Sequence, residues 1–384
     1  MDSASQKTWV EIDQAALTHN VQQFKNLIGS EVKLLVAVKA NAYGHGLVGV
    51  SKIALAAGAD CLGVDSIDEA LVLRQAGVDA SILIIGYVLR SRLAEAVEND
   101  LRLTVYNQET IEELGRITNL GKSEVNIHLK IETGTSRQGV MPEDTLKFIK
   151  FIKKYPGVHI EGISTHFANI EDTTDYSYAQ KQLKTFQEVV SNLEKAGINI
   201  PLKHTANSAA TMLFPETHFA MVRVGISLYG FWPSPETRQT VQEKNGRLKD
   251  FSLQTVLTWK TVVAQVKNIK AGTAVGYGCT EKVKRDSQIA VLPIGYWDGY
   301  DRKLSRVGEV LIKGQRCKVL GRVFMNMIVV DVTNCKEVAV EDEVVLLGKQ
   351  GLEEITADSL ADSIGTINYE FVTRINPLIK RVVI

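Results

Sequence analysis

The sequence predicts an α/β fold in which an N-terminal (β/α)8 barrel of the TIM type is followed by a mostly β C-terminal domain. Eight short apolar runs recur through the first two thirds of the 384 residues, with helix-like segments in most gaps between them. The last third is rich in short strand-like runs separated by glycines. The length also favours two domains, because single cores usually stop growing at about 250 to 300 residues.

The eight predicted barrel strands share short stretches of aliphatic side chains. They begin near Lys33, Cys61, Ser81, Leu101, Val125, Ile160, Leu202 and Phe219. Helix signals fall between them: Ser66 and Glu69 form a capping box, and Asn107 can cap the next helix. Gly58 and Gly77 stand where helices are expected to end.

The fifth run, residues 125–132, alternates cleanly between apolar and polar side chains. Its polar face carries Asn126, His128, Lys130 and Glu132. If the apolar face packs on the helices, these polar groups point into the barrel. A solvated edge strand is the alternative, although a closed parallel barrel has no edge.

The domain boundaries follow from a polar, proline-bearing stretch, Pro233–Asp250, which we interpret as the linker. We place the barrel at residues 11–240 and the β domain at residues 250–384, with residues 1–10 packing on the β domain. Strand-like runs in the β domain include residues 257–269, 288–293, 307–319 and 327–332. One short helix is expected near Thr356–Ile364.

Composition excludes several classes of partner. The 44 basic and 44 acidic residues balance, which argues against nucleic acid or an anionic membrane surface. No signal core and no apolar stretch of about 20 residues is present, so we expect a soluble cytoplasmic protein. The four cysteines lack paired metal-ligand spacing, which favours free thiols and no metal site.

Lys39 is the residue that points most directly to chemistry. It ends an apolar strand and precedes a glycine-punctuated turn, a setting that suits Schiff-base formation because a neutral amine attacks an aldehyde. A lysine that merely extends from a strand end into water is the alternative. The residues that follow the other predicted strands decide between a Schiff-base lysine and a solvated one.

Polar residues cluster after the predicted strands, at the barrel end where such enzymes carry their sites. They are Lys39, Lys130, Arg137, His166, Asn207, Ser208, Arg223, Gly225 and Ile226. The loops after strands seven and eight are the usual phosphate site of these barrels. A lysine facing a phosphate site predicts pyridoxal 5'-phosphate.

Eight motifs, in this order, resemble those of the alanine racemase family. They are AVKANAYGHG (37–46), HLKIETG (128–134), STHFA (164–168), ANSA (206–209), RVGISLYG (223–230), VGYG (275–278), IGYWDGY (294–300) and GRVFMNM (321–327). The match runs nearly end to end. It implies a pyridoxal-phosphate enzyme that interconverts L-alanine and D-alanine and supplies D-alanine for peptidoglycan.

The resemblance implies two proton carriers, Lys39, which also holds the cofactor covalently, and Tyr277. Racemisation needs such a pair because a proton taken from one face of the α-carbon returns to the other. Catalytic support would come from a hydrogen-bond chain that runs from Tyr277 through His166 to Arg223. Arg223 would face the pyridine nitrogen and keep it unprotonated, which limits side reactions.

The resemblance also assigns binding residues. The cofactor phosphate would contact Tyr43, Ser208, Gly225, Ile226 and Tyr369. The substrate carboxylate would meet Arg137 and the backbone N–H of Met325, while Tyr296 and Tyr369 would line the entrance.

Lys130 matches a lysine that many relatives carry as a carbamate, whose anion would orient Arg137. The β domain would supply Tyr277 and Met325 to the partner's site, so the resemblance implies a homodimer with two shared active sites. Without the carbamate, two cations would lie side by side inside the barrel, so a counter-anion is expected.

Several positions depart from the family pattern around the carboxylate site and the entrance. They are Thr135, Ser136, Trp297, Phe324 and Asn326. These differences leave open a racemase of another or broader set of amino acids, such as serine and lysine.

Three other functions are weighed against racemisation. A barrel-type decarboxylase would carry a glycine-triplet phosphate loop and an acidic partner for the pyridine nitrogen. A metallohydrolase bridged by carbamylated Lys130 would need a His-x-His pair on the first strand, and this pair is absent. A non-catalytic carrier of pyridoxal phosphate would lack a β domain and any counterpart of Tyr277.

Overall fold

A computed structural model describes residues 6–243, 246 and 248–384. The chain forms two compact units. The barrel unit comprises Ala15–Ala42 and Leu47–Gln254, and the β unit comprises the described residues up to Gln14, Tyr43–Gly46 and Thr255–Ile384.

The barrel unit is built on eight parallel strands. After β1 (Thr8–Ile12), which belongs to the β unit, they are β2 (Lys33–Ala37), β3 (Cys61–Val64), β4 (Ser81–Ile84), β5 (Arg102–Val105), β6 (Val125–Lys130), β7 (Val158–Ser164), β8 (Leu202–His204) and β9 (Met221–Val224). Their order around the sheet is β8-β7-β6-β5-β4-β3-β2-β9. The Arg223 N–H donates to the Ala206 carbonyl at 3.0 Å, which nearly closes the barrel between β8 and β9. The predicted barrel is confirmed, and each strand starts within two residues of its expected position.

The helices of the barrel unit alternate with its strands. They are α1 (Gln14–Ile28), α2 (Leu47–Ala56), α3 (Ile67–Gln75), α4 (Leu93–Glu98), α5 (Gln108–Gly121), α6 (Thr145–Ile152), α7 (Ser177–Lys195), α8 (Ser208–Leu213) and α9 (Pro235–Glu243). Asn107 caps α5 by accepting the N–H of Thr110 at 2.9 Å. Ser66 caps α3 in the same way at 3.2 Å. None of these helices is long and apolar enough to cross a membrane, nor is any other helix in the described part of the chain.

Two local predictions need correction. Glu69 does not complete a capping box with Ser66, because its carboxylate accepts the N–H groups of Asp65 and Asn41 instead. The predicted linker is not irregular throughout, because Pro235–Glu243 forms helix α9. Residues 244, 245 and 247 of that stretch lie outside the described residues, as do residues 1–5 of the predicted N-terminal segment.

Most strands of the β unit belong to one ten-stranded sheet, with the path β11-β14-β17-β16-β15-β18-β10-β1-β20 and β19 on β18. The strands that follow the barrel are β10 (Leu257–Val262), β11 (Gln265–Ile269), β12 (Ala274–Val275), β13 (Glu281–Lys282), β14 (Ser287–Leu292), β15 (Glu309–Ile312), β16 (Gln315–Leu320), β17 (Ile328–Asp331), β18 (Glu343–Gln350), β19 (Glu353–Ile355) and β20 (Lys380–Val383). Two helices, α10 (Ala357–Ile364) and α11 (Asn368–Thr373), complete the unit. The N-terminal strand β1 pairs antiparallel with β10 and parallel with β20.

Candidate active site

Lys39 lies after β2 and precedes a strained turn. Ala40, Asn41, Ala42 and Tyr43 all have positive φ angles, between 51° and 55°. Side chains in this left-handed conformation cost roughly 1–2 kcal/mol per residue, and such strain concentrates at functional sites. The turn therefore fixes the backbone that directly follows Lys39.

Three hydrogen bonds hold this turn. The Ala42 N–H donates to the Val38 carbonyl at 2.7 Å, and Asn41 accepts the Leu47 N–H at 2.9 Å. Glu69, from α3, accepts the Asn41 N–H at 3.1 Å. The sequence identified Glu69 only as a cap, so its contact with the lysine turn is a new feature of the site.

Arg223 lies on β9 in register with Leu35 of β2, the strand that leads to Lys39. Its Nη atoms donate to the carbonyls of His204, Thr165 and Thr205 at 2.8–3.0 Å. Burial lowers the pKa of Arg223 to about 10, with a smaller effect from the nearby Arg137. Arg223 therefore remains a cation at neutral pH, and its Nε–H has no acceptor among the residues the structure describes.

His166 approaches the same guanidinium, with its Nδ1 3.4 Å from Arg223 Nη2. Burial, followed by the charges of Lys130 and Arg223, lowers the pKa of His166 well below its usual range. The imidazole is therefore neutral at neutral pH. Because arginine only donates hydrogen bonds, Nδ1 accepts and the proton of His166 lies on Nε2.

The predicted phosphate donors of the barrel unit lie together after β8 and β9. The Gly225 N–H donates to Ser208 Oγ at 3.1 Å, which joins the two loops. Ile226 begins a helical turn, Ile226–Tyr229, and the first N–H groups of such a turn have no partner within it. In the β unit, the rings of Tyr43 and Tyr369 are 6.2 Å apart between centroids.

Glu132 organises the loop that carries Arg137. Its carboxylate accepts the N–H groups of Gly134 and Thr135 at 2.6 Å each and that of Arg137 at 3.0 Å. Burial opposes its ionisation, but backbone N–H donors, chiefly those of Ser136 and Gly134, hold the pKa of Glu132 below its usual value. The sequence placed Glu132 on the polar face of its strand but gave it no role in the site.

Lys130, at the end of β6, lies inside the barrel with cations around it. Burial lowers the pKa of Lys130 well below its usual range, and the charges of Arg223 and Arg137 add to this effect. Glu132 opposes the shift. Lys130 forms no ion pair within the described residues, so its amine favours the neutral form.

The other predicted site residues lie on the β unit. Tyr277 and Met325 are 71% and 57% exposed, and Tyr296 is 41% exposed. The Tyr277 ring packs edge-on against Phe324 with centroids 5.0 Å apart, and the Tyr296 N–H donates to the Phe324 carbonyl at 3.0 Å. Phe324 thus brings Tyr277, Tyr296 and Met325 together on one surface of this unit.

Family models match both parts of the chain. The model described as alanine racemase, N-terminal domain, covers residues 12–233, and the one described as alanine racemase, C-terminal domain, covers residues 256–383. The chain belongs to the alanine racemase family.

Individual members of the alanine racemase family match nearly the whole chain. An alanine racemase of Methanococcus maripaludis is 42% identical over 380 residues, which cover 98% of this chain and 99% of that protein. The crystal structure of a Bacillus anthracis alanine racemase with bound L-Ala-P matches with a TM-score of 0.92 and 39% identity, covering 99% of this chain and 95% of that one. A Clostridium difficile alanine racemase in complex with cycloserine matches with a TM-score of 0.90 and 32% identity, covering 99% and 96%.

Proposed function

We propose that this protein is a pyridoxal-phosphate-dependent racemase that interconverts L-alanine and D-alanine. The observation that carries the proposal is the arrangement at one end of the barrel unit. The amine of Lys39 follows β2, the guanidinium of Arg223 lies on the adjacent β9, and hydroxyl and N–H donors follow β8 and β9. Relatives named alanine racemase, one of them holding L-Ala-P, support alanine as the substrate.

The chemistry of these donors fits the cofactor. Lys39 supplies the amine for its aldehyde, and the hydroxyl of Ser208, which accepts the Gly225 N–H, and the N–H of Ile226 supply neutral donors for its phosphate. The resemblance adds Gly225, Tyr43 and Tyr369 as phosphate contacts. The Nε–H of Arg223 is the donor that remains for the pyridine nitrogen. When bound, the cofactor withdraws electrons from the substrate α-carbon and makes its proton acidic.

Two residues of this chain then move the proton. Lys39 Nζ and Tyr277 Oη act on opposite faces of the α-carbon, so that one removes the proton and the other returns it. His166 carries its proton on Nε2, which suits it to donate to a phenolate and so to stabilise the basic form of Tyr277. Arg137 binds the substrate carboxylate with the N–H of Met325, and Glu132 fixes the loop of Arg137.

The neutral amine favoured at Lys130 is the form that adds carbon dioxide. The amine nitrogen bonds to the carbon of CO2 and loses a proton to water, which leaves a carbamate anion. That anion would balance Arg137 and Arg223, the cations that lower the pKa of Lys130. The proposal also includes a homodimer whose sites take Tyr277 and Met325 from the second chain, a cytoplasmic location, and a supply of D-alanine for peptidoglycan.

Chiral chromatography after incubation with each alanine enantiomer tests the function. We expect both enantiomers to reach the same mixture, and the Lys39→Ala variant to form product only very slowly. Incubation with serine and lysine tests the broader specificity that Trp297 and Asn326 leave open. Unchanged alanine together with carbon dioxide released from another amino acid would support a decarboxylase, and no reaction with any amino acid would support a carrier.

A further inference from the structure

A row of buried polar groups runs from Arg223 through the barrel interior, away from the proposed cofactor contact. Arg223 Nη1 is 2.6 Å from His204 Nδ1, His204 Nε2 is 2.8 Å from His128 Nδ1, and His128 Nε2 is 3.2 Å from Glu161 Oε2. His204 and His128 are 1% and 3% exposed. The proposed reaction assigns no role to His204, His128 or Glu161.

The donors in this row all point in one direction. Arginine can only donate, so His204 Nδ1 accepts and the proton of His204 lies on Nε2. Burial, then the charge of Arg223, lowers the pKa of His204 well below its usual range, so the ring is neutral. His204 Nε2–H therefore donates to His128 Nδ1, and the proton of His128 lies on Nε2, facing Glu161.

Glu161 ends the row as an acceptor. The hydrogen bond from His128 holds the pKa of Glu161 below its usual value despite burial, and Arg102 and Lys33 add to this effect. Arg102 Nε lies 3.5 Å from Glu161 Oε2. An ionised carboxylate only accepts, so both ends of the row impose the same direction on the two imidazoles.

The backbone around Glu161 is shaped for this contact. Ile127 of β6 pairs with Ile160 of β7, but the next residue, His128, pairs with Gly162. Glu161 is therefore the extra residue of a β-bulge, a feature that re-aims a side chain. A Cβ atom on Gly162 would lie 2.4 Å from His128 Nδ1, so this glycine makes room for the imidazole.

We propose that Glu161 is a positioning residue which, through His128 and His204, fixes the guanidinium of Arg223 and so the direction of its Nε–H. Each of the two imidazoles, His204 and His128, can hydrogen-bond to both of its neighbours in only one tautomer. A change at Glu161 therefore alters the hydrogen bonds along the row as far as Arg223. This role rests on the proposed function, in which Arg223 contacts the cofactor ring. It predicts that a change at Glu161 acts on the reaction without touching substrate or cofactor.

Two variants of Glu161 separate positioning from a general effect of charge. Glu161→Ala removes the acceptor, whereas Glu161→Gln keeps an acceptor oxygen and removes the charge. We expect Glu161→Ala to lower kcat about tenfold, which corresponds to the free energy of one lost hydrogen bond, with little change in KM. Glu161→Gln should retain most of the kcat of the unchanged protein. Glu124→Ala is the matched control, because Glu124 forms an exposed pair with His159 at 3.4 Å.

A spectroscopic measurement tests the same row without any reaction. Solid-state nitrogen-15 NMR of protein with its seven histidines labelled gives the protonation of each ring nitrogen. In the unchanged protein we expect His204 and His128 as neutral rings protonated at Nε2. Glu161→Ala should shift the signals of His204, which does not contact Glu161, and Glu161→Gln should shift them less.

The outcomes distinguish the two proposals. If the unchanged protein racemises no amino acid but the histidine signals respond as described, the proposed function fails and the hydrogen-bonded row stands. If racemisation proceeds while kcat and the His204 signals are the same in Glu161→Ala, the positioning role is overturned. An equal loss of kcat in Glu161→Ala and in Glu161→Gln also overturns the positioning role. Glu161→Gln remains informative if the alanine variant does not fold.

Discussion

Tyr277 is a residue whose proposed role depends on groups outside its own unit. In the β unit its ring contacts Phe324, and most of its surface is exposed. In the arrangement that the family resemblance implies, its phenol faces the α-hydrogen of the L-enantiomer, and Lys39 faces that of the D-enantiomer. The two residues should therefore differ in which enantiomer they deprotonate.

Tyr277→Phe removes the phenolic oxygen and keeps the ring packing. Exchange of the α-hydrogen for deuterium, followed by proton NMR in D2O, should slow by roughly 10²–10⁴-fold from L-alanine, the usual contribution of a general base. Exchange from D-alanine should change far less, because Lys39 remains. Tyr296→Phe is the control and should alter neither rate in this way. Equal slowing from both enantiomers would remove the assignment of Tyr277 to one face.

Substitution of Glu132 is a second single-residue test, and its effect has a defined pH dependence. Glu132→Gln replaces an ionised acceptor of several backbone N–H groups, including that of Arg137, so we expect a several-fold higher KM as Arg137 loses its orientation. Because the folded pKa of Glu132 is depressed, its stabilisation is present above its unfolded pKa, about 4.3, and is lost as the pH falls through the lower folded value.

Thermal denaturation between pH 7 and pH 3 measures this effect. The unchanged protein should be more stable than Glu132→Gln at pH 7, and the difference should shrink below about pH 4. Glu143→Gln, at an exposed acid on the following segment, should show neither effect. A Tm difference that grows as the pH falls would show that ionised Glu132 does not stabilise the fold.

Among the structural elements, the left-handed turn after Lys39 makes the most direct prediction about stability. Ala40 is exposed and has φ 53°, a conformation that glycine adopts without steric cost. Ala40→Gly should therefore raise the free energy of unfolding by about 0.5–1 kcal/mol, after allowance for the greater freedom of glycine in the unfolded chain. Denaturant unfolding measures the change.

Ala56→Gly is the matched control for the turn. Ala56 is also exposed but ends the right-handed helix α2, so glycine should lower the free energy of unfolding there, by up to about 1 kcal/mol. Destabilisation by both substitutions would show that the strain assigned to the turn is too large.

The elements also show why some of the fold was predictable. Buried parallel strands are continuous apolar runs, so Leu34–Val36 and Ile82–Ile84 were visible in the sequence. Helix α9 was missed because only Thr237 and Val241 of its nine residues are buried, which leaves little periodic signal. Strand β18 has an equally apolar core, Val344–Leu347, but was not included in the predicted strands.

The residues of the candidate site also differ in whether the sequence could predict them. Lys39, Arg223, His166 and Ser208 belong to motifs or strand ends and could be predicted. His204 and Glu161 carry no local signal, because their roles arise from contacts 19 to 76 residues apart in sequence and from a bulge that re-aims one side chain. Glu69 gave a signal for a helix cap, and only the fold adds its contact with the lysine turn.

For the molecule as a whole, each proposed active site needs residues from two chains. Lys39 belongs to the barrel unit and Tyr277 to the β unit. We propose that the catalytic pair combines Lys39 of one chain with Tyr277 of the other, the arrangement expected of a two-fold dimer with shared sites. Variants at these two residues should then complement each other when they are combined in one dimer.

The most direct test is the activity of a heterodimer of Lys39→Ala and Tyr277→Phe, purified by a different affinity tag on each chain. Each variant alone should racemise alanine very slowly. The heterodimer should recover about half the activity of a doubly tagged wild-type dimer, because one of its two sites then holds both intact residues. A heterodimer as inactive as its parents would rule out shared sites, since it would mean that both proton carriers of a site come from the same chain.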